Sequence, residues 1–148
     1  MIRAVLTALL LAAPLLTAVT GAEAASPEGE WVTEGGKARV RIAPCAAEPA
    51  RLCGTITWSY RPAGVPEGPL LDRRNQDPAL RSRPIVGLPL LEGLAPTGQG
   101  SWGGGTIYDP EGGKTYKARL SLKGPDTLEV EGCILFFCRG QDWARYKG

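Results

Sequence analysis

Histidine is absent from the 148-residue chain. A protein without imidazole lacks the usual proton donor and acceptor near neutral pH, the base of a histidine-containing catalytic triad and the commonest zinc ligand. Carboxylates, lysine, tyrosine and serine remain as possible catalytic groups. We therefore expect no metal site and no cofactor, consider a hydrolase improbable, and place an enzymatic role behind binding and interaction roles.

The chain also has few long apolar runs, and the main one lies near its start. A basic residue precedes an apolar stretch over residues 4–19, and the small residues Ala22 and Ala24 follow it. This order is typical of a secretory signal peptide cleaved after Ala24, and the stretch is shorter than the ~20 residues that a spanning helix needs. We predict a signal peptide in residues 1–24 and one exported, periplasmic domain in residues 25–148 without a membrane span; an uncleaved anchor is the alternative.

A strong excess of either charge is missing too. Lysine and arginine number 17, aspartate and glutamate number 15, and both signs are interspersed along the chain. A nucleic-acid-binding domain shows a basic patch or stripe, and a polybasic membrane segment shows clustered positive charge. Neither pattern is visible along the sequence, so we expect no nucleic-acid partner.

Four cysteines in a chain predicted to be exported indicate disulfide bonds. Cys45 and Cys53 bracket one predicted turn, and Cys133 and Cys138 bracket another. Four cysteines allow three pairings, and we predict the two local ones, Cys45–Cys53 and Cys133–Cys138. A redox-active pair is the alternative, but neither spacing is Cys-x-x-Cys.

The rest of the chain alternates apolar and polar residues with a period of two, which is typical of strands with one buried face. Every second residue of 37–42 is apolar, and residues 52–60 repeat the pattern. The clearest hairpin lies in residues 103–116, where Asp-Pro and Gly-Gly supply a turn. About eight such strands, joined mainly by tight turns, predict an all-β fold: a single small antiparallel up-and-down β-barrel without exposed edges.

Three further segments complete the predicted strands and turns. Residues 85–94 are apolar but contain Pro89, so we predict a bent strand that stays off any central ladder unless a bulge intervenes. Residues 96–100 are predicted to form a turn. The last strand is expected at residues 141–146.

Residues 61–84 contain too many prolines and glycines for a strand and are predicted to form a long connection. One short helical turn is expected within it. Asp77 would cap that turn, and Pro78 would stand at its first position, where the missing N–H does no harm.

The polar residues of this connection allow two interpretations. Arg81 and Arg83 could bind a carboxylate or phosphate, with Asp77 orienting them. Alternatively, Asn75 and Asp77 only cap the helical turn while the arginines lie in solvent or pair with the acids. We favour the second interpretation. Asp72 and Asp77 are a carboxylate pair that could do acid–base work if they lie close together.

Several separate motifs follow one another along nearly all of the predicted mature chain. They are Gly29-x-Trp31-x-Thr33; Ile42-Ala43-Pro44-Cys45 with Leu52-Cys53-Gly54-x-Ile56; Asn75-x-Asp77-Pro78-x-Leu80-Arg81-x-Arg83-Pro84; Gly104-Gly105-x-Ile107-Tyr108-Asp109-Pro110-x-x-Gly113-Lys114-x-Tyr116; Gly132-Cys133-Ile134; and Gln141-x-Trp143-x-Arg145. In this order they resemble the bacterial exported family DUF2147, a domain of unknown function. The resemblance implies a lipocalin-like barrel and brings no activity with it.

Gly29-x-Trp31 in the first predicted strand and Arg145 in the last are similar to the Gly-x-Trp and late arginine of lipocalins and other calycins. That likeness implies a guanidinium over the indole ring, a contact of ~0.5–2 kcal/mol, which closes the barrel between its first and last strands. Otherwise Trp31 is an ordinary core aromatic and Arg145 a solvated charge.

Eight strands enclose room for side chains alone or for one small molecule. Small residues such as Ala38, Ala118 and the glycines 103–105 could open a cavity, or could simply let the strands bend. We favour an exported barrel that binds a small, mainly apolar or amphipathic molecule; the alternative is a cell-envelope protein-interaction module with a filled interior. The candidate ligand-binding residues are Trp58, Asn75, Asp77, Arg81, Arg83, Trp102 and Tyr108.

Overall fold

The computed structural model describes residues 25–148, so the predicted signal peptide lies outside the described residues. Eight strands follow one another along this part of the chain, with one-turn 3-10 helices at Glu34–Gly36 and Pro78–Leu80. The predicted all-β fold is confirmed. The strands are β1 (Gly29–Val32), β2 (Ala38–Pro44), β3 (Leu52–Ser59), β4 (Pro89–Gly98), β5 (Ser101–Asp109), β6 (Lys114–Leu122), β7 (Thr127–Ile134) and β8 (Phe137–Arg145).

Each strand pairs antiparallel with the next, and β8 pairs with β1, so the sheet closes into an up-and-down barrel. Because consecutive strands run in opposite directions, the connections β1–β2, β3–β4, β5–β6 and β7–β8 share one end, which we call the loop end. The opposite end, the base, holds the start of β1 and the end of β8. The Cys45–Cys53 disulfide lies at the base and the Cys133–Cys138 disulfide at the loop end.

Inward-facing side chains fill the barrel. Trp31 and Trp143 are buried in one hydrophobic cluster with residues from the six other strands. The expected alternation is visible on β6, where buried Ala118 and Leu120 alternate with exposed Lys117 and Arg119. The buried hydrophobic cluster consists of Trp31, Val40, Ile42, Leu52, Ile56, Leu88, Leu90, Leu91, Leu94, Tyr108, Ala118, Leu120, Leu128, Val130 and Trp143.

Two predicted boundaries around β4 are wrong. β4 begins at Pro89 and continues through Pro96, so the predicted turn at 96–100 shrinks to its last two residues. The β3–β4 ladder ends at Leu94, so Pro96 pairs only with Trp102 of β5. Because β3 does not pair with this part of β4, the missing N–H of Pro96 breaks no β3–β4 hydrogen bond. Pro89 lies where the β3–β4 register shifts, so its missing N–H is tolerated there.

The last strand also begins earlier than predicted, at Phe137 instead of Gln141. Cys133 and Cys138 stand opposite each other in the β7–β8 ladder, and Ile134 pairs with Phe137 beyond them. The disulfide therefore extends the hairpin instead of closing a separate loop. No helix in residues 25–148 is long and apolar enough to cross a bilayer.

Arg145 closes the base. Its guanidinium lies 4.2 Å from the centre of the Trp31 ring and donates to the carbonyl oxygens of Ser26 (2.9 Å), Glu28 (2.9 Å) and Pro125 (2.7 Å). The chain has glycine at position 29 for a physical reason: φ is +123° there, and a Cβ would lie 2.9 Å from the Arg145 guanidinium. The Gly-x-Trp sequence thus leaves room for the arginine.

Arg145→Lys tests this closure. Lysine keeps the charge but lacks the planar guanidinium with its three nitrogen donors. A single ammonium group cannot reach the three carbonyl oxygens that Arg145 binds. We expect the free energy of unfolding, measured by urea denaturation, to fall by about 1–3 kcal/mol. Arg41→Lys is the control, because that side chain is 60% exposed and its ion pair with Glu30 spans 3.4 Å. Equal stability of the two variants would contradict a closing role for Arg145.

Candidate functional site

The long β3–β4 connection is held to the barrel by one buried carboxylate. Asp72 is only 1% exposed and accepts three hydrogen bonds. The donors are the Tyr108 hydroxyl at 2.6 Å, the Asn75 amide at 2.9 Å and the Arg83 Nε at 2.9 Å. Tyr108 belongs to β5, so this contact joins two segments that are far apart in the sequence.

The neighbouring polar residues continue the network within the connection. Asn75 also donates to the Tyr108 hydroxyl at 3.0 Å, and its Oδ1 accepts from the Asp77 N–H at 2.9 Å. Asp77 caps the 3-10 turn by accepting from the Ala79 N–H at 2.9 Å, and Arg81 Nε donates to the Asn75 carbonyl at 2.8 Å. Within the described residues, no buried side-chain nitrogen or oxygen lacks a partner.

These contacts show what the predicted polar residues do in the fold. The structure brings together Asn75, Asp77, Arg81, Arg83 and Tyr108, and their polar groups satisfy one another or the local backbone. That arrangement matches the structural interpretation of the sequence. Asp72, which the sequence suggested only as an acid–base partner of Asp77 and not as a ligand-binding residue, is the centre of the network.

The hydrogen bonds also decide the charge state of the network. Burial raises the pKa of Asp72, but the hydrogen bonds from Tyr108, Asn75 and Arg83 together outweigh it and leave the pKa below its usual value. Burial and the hydrogen bond to the Asp72 carboxylate raise the pKa of Tyr108. At neutral pH the carboxyl is therefore ionised and the phenol protonated, an arrangement suited to holding the loop.

The three aromatic residues among the ligand-binding candidates lie in different surroundings. Trp58 is 39% exposed, with the Arg39 guanidinium 5.2 Å from its ring centre. The β2–β3 register shifts between Arg39 and Val40, so Trp58 stands opposite the outward-facing Arg39. Tyr108 is buried under the connection, whereas Trp102 packs against the core. The structure does not bring these three side chains together.

A cleft with a volume of about 730 Å³ lies instead on the outer face of β5, β6 and β7. Residues 103–105 are glycines, so part of the wall of the cleft has no side chains. Trp102 and Leu135 give it apolar surface; Thr97, Thr106, Lys117, Arg119 and Glu131 give it polar groups.

The sequence did not reveal this cleft. Lys117 and Arg119 alternate with apolar residues as cations do on any strand with one solvent-facing side, so the pattern does not mark them as binding residues. Their register partners across the β6–β7 ladder are Cys133 and Glu131. Neither cation is in an ion pair with another residue of the described segment. A smaller cleft of about 550 Å³ separates the long connection from the β5–β6 turn; Leu71, Arg73, Arg74, Pro110 and Glu111 line it.

A closed eight-stranded antiparallel barrel with an arginine of the last strand over a tryptophan of the first is a lipocalin-like fold. A solved structure supports this class: protein HP1028 from the human pathogen Helicobacter pylori, described as belonging to the lipocalin family. The two structures superpose with a TM-score of 0.68 at 22% sequence identity, covering 81% of this chain and 82% of that chain. At this identity the likeness concerns the fold.

The family follows from a second comparison. The model of a family described as "Uncharacterized protein conserved in bacteria (DUF2147)" matches residues 29–145. The chain belongs to the DUF2147 family, which confirms the resemblance of the sequence motifs. A comparison with curated proteins finds no match.

Tyr108→Phe tests the buried network through its pH dependence. The variant loses one donor to Asp72, so we expect the free energy of unfolding at neutral pH to fall by about 1–2 kcal/mol. It should also raise the pKa of Asp72 toward its usual value. The ionised Asp72 stabilises the fold above the pKa of its unfolded carboxyl, and this contribution is lost as pH falls through the lower pKa of the folded state.

The acid-induced loss of stability in Tyr108→Phe should therefore be smaller and should be complete at a higher pH than in the wild type. Urea denaturation at a series of pH values from neutral to acidic measures it. Tyr60→Phe is the control, because Tyr60 is 54% exposed. If both variants show the wild-type acid profile, Tyr108 does not hold Asp72 ionised.

Proposed function

We propose that the protein is an exported lipocalin-like barrel that binds a small amphipathic molecule with an acidic end and catalyses no reaction. The observation that carries the proposal is the outer cleft. There, two unpaired cations of the described segment, Lys117 and Arg119, stand beside the apolar surface of Trp102 and Leu135. Small-molecule sites are mostly apolar clefts of ~300–1,000 Å³ with few polar groups that orient the ligand.

The interior of the barrel offers less support for binding. Large side chains such as Trp31, Trp143 and Leu91 occupy it and are almost completely buried. Arg81 and Arg83, the residues first considered for an acidic group, are engaged with Asn75 and Asp72. We therefore place the ligand on the outer face of β5–β7 and give Lys117 and Arg119 the anion-binding role that was considered for those arginines.

Export is part of the same proposal. The chain belongs to a bacterial family, and its four cysteines form two disulfides, which persist in oxidising compartments such as the periplasm. We propose that residues 1–24 are a signal peptide and that residues 25–148 are the mature domain. Determining the N-terminal residue of the periplasmic protein by mass spectrometry tests this cleavage.

Ligand binding is tested with medium- and long-chain fatty acids and the matching fatty alcohols. We expect the acids to bind more tightly than the alcohols by about tenfold, equivalent to 1.4 kcal/mol, because only a carboxylate pairs with Lys117 and Arg119. Isothermal titration calorimetry and tryptophan fluorescence report the affinity. The double variant Lys117→Gln, Arg119→Gln should lose the preference for the acid while still binding the alcohol.

A matched control neutralises two exposed cations away from the cleft. Arg41→Gln with Lys147→Gln changes the net charge by the same amount on β2 and at the C-terminus. This variant should keep the wild-type preference. Equal affinity for acid and alcohol in the wild-type protein, or no binding of either, would contradict the proposal.

A second function is favoured by a different observation. The packed interior and the exposed apolar residues of the β7–β8 turn fit a cell-envelope module that works through its surface. Phe136 is 96% exposed in that turn. Contiguous exposed apolar surface is typical of sites that interact with a protein or a membrane.

A further inference from the structure

The exposed hydrophobic residues of the described segment are all at one end of the barrel. Large hydrophobic side chains that stand open to solvent occur near the end of β3, in the β3–β4 connection and in the β7–β8 turn, all at the loop end. The connections at the base contain none. The residues are Trp58, Tyr60, Val65, Leu80, Val86, Ile134, Leu135, Phe136 and Phe137.

The β7–β8 turn is the most apolar part of this end. Its four residues 134–137, which we call the apolar tip, are exposed by 59%, 82%, 96% and 82% in chain order. Such exposure means that the side chains project outward and do not fold over the barrel. The Cys133–Cys138 disulfide ties the two strands together immediately below the tip, so the tip cannot reach back to the core without distorting the hairpin.

Three cations lie near the apolar tip; one of them, Lys114, stands opposite Asp109 in the β5–β6 ladder. Lys117 stands opposite Cys133, and Arg139 stands opposite Gly132, so each lies within two residues of the tip along the ladders. Lys114 begins β6 at the same end of the barrel and is exposed. The nearest carboxylate on β7, Glu131, lies further from the tip and opposite Arg119.

We propose that the loop end docks on the surface of an anionic phospholipid membrane, with the apolar tip inserted at the interface and the cations against the headgroups. Exposed leucine and phenylalanine side chains enter the headgroup and acyl boundary, and each nearby lysine or arginine adds attraction to anionic lipid. This inference gives the second function a partner and does not depend on the ligand cleft.

The shape of the tip favours a lipid surface over a protein. Stable protein interfaces involve ~20–30 residues on each side, packed over complementary surfaces. The apolar tip is a convex projection of four residues, which is too small for such an interface. A fluid bilayer adapts to a projection of any shape, so four inserted side chains and a few cations suffice for reversible binding.

Co-sedimentation with vesicles tests the proposal. The protein is expressed from the complete chain and purified from the periplasm, then mixed with vesicles of phosphatidylglycerol and phosphatidylethanolamine or of phosphatidylcholine alone. We expect binding to the anionic vesicles that weakens with added salt. Phe136→Ser with Phe137→Ser should weaken binding about tenfold or more, and Lys114→Gln with Arg139→Gln should weaken it several-fold on anionic vesicles only.

The matched control for charge is Lys123→Gln with Lys147→Gln, which neutralises two exposed cations at the base and should bind vesicles like the wild type. All variants carry the same N-terminus, so a difference between them comes from the substituted residues. The substituted side chains are exposed, and unchanged thermal unfolding verifies that each variant is folded.

Three results would overturn the inference: no binding of the wild type to anionic vesicles, equal binding of the tip variant and the wild type, or a tip-dependent dimer that does not bind vesicles. Phe136, Phe137, Lys114 and Arg139 do not line the cleft. The affinity for fatty acids should therefore survive in these variants, which separates a failure of membrane docking from a failure of ligand binding.

Discussion

The closed barrel depends on the contact between its first and last strands. β1 and β8 share only two residue pairs, Trp31 with Arg145 and Val32 with Ala144. So short a ladder would be a weak closure by itself. Arg145 strengthens it, because one planar guanidinium covers the indole ring and binds carbonyl groups both of the segment before β1 and of the β6–β7 turn. Removing an open edge also removes a site where other chains could pair.

Closure with large residues leaves little free volume. An eight-stranded barrel has space for its own side chains or for one small ligand, and here Trp31 and Trp143 occupy the interior together with leucine, isoleucine and valine. The surfaces that we propose for binding lie outside the barrel: the cleft on β5–β7 and the loop end.

The long β3–β4 connection shows how such a surface is kept in place. A connection of this length is mobile unless it is anchored, and Asp72 anchors it by accepting from Tyr108 on β5 as well as from Asn75 and Arg83. A buried carboxylate with three donors is costly to protonate or to leave unpaired. The network therefore fixes the part of the loop end that contains Leu80 and Val86.

The sequence alone determined the all-β class, the number of strands, both disulfide pairings and the family motifs. These follow from local signals: the period of two, the turn residues and the short cysteine spacings. Tertiary structure decided the rest. The bulge opposite Arg39 turned Trp58 outward, the buried Asp72 joined residues more than thirty positions apart, and the folding of β6 to β8 brought Lys117 and Arg139 beside the apolar tip. Such placements depend on register and on long-range contacts, which no local pattern of residues encodes.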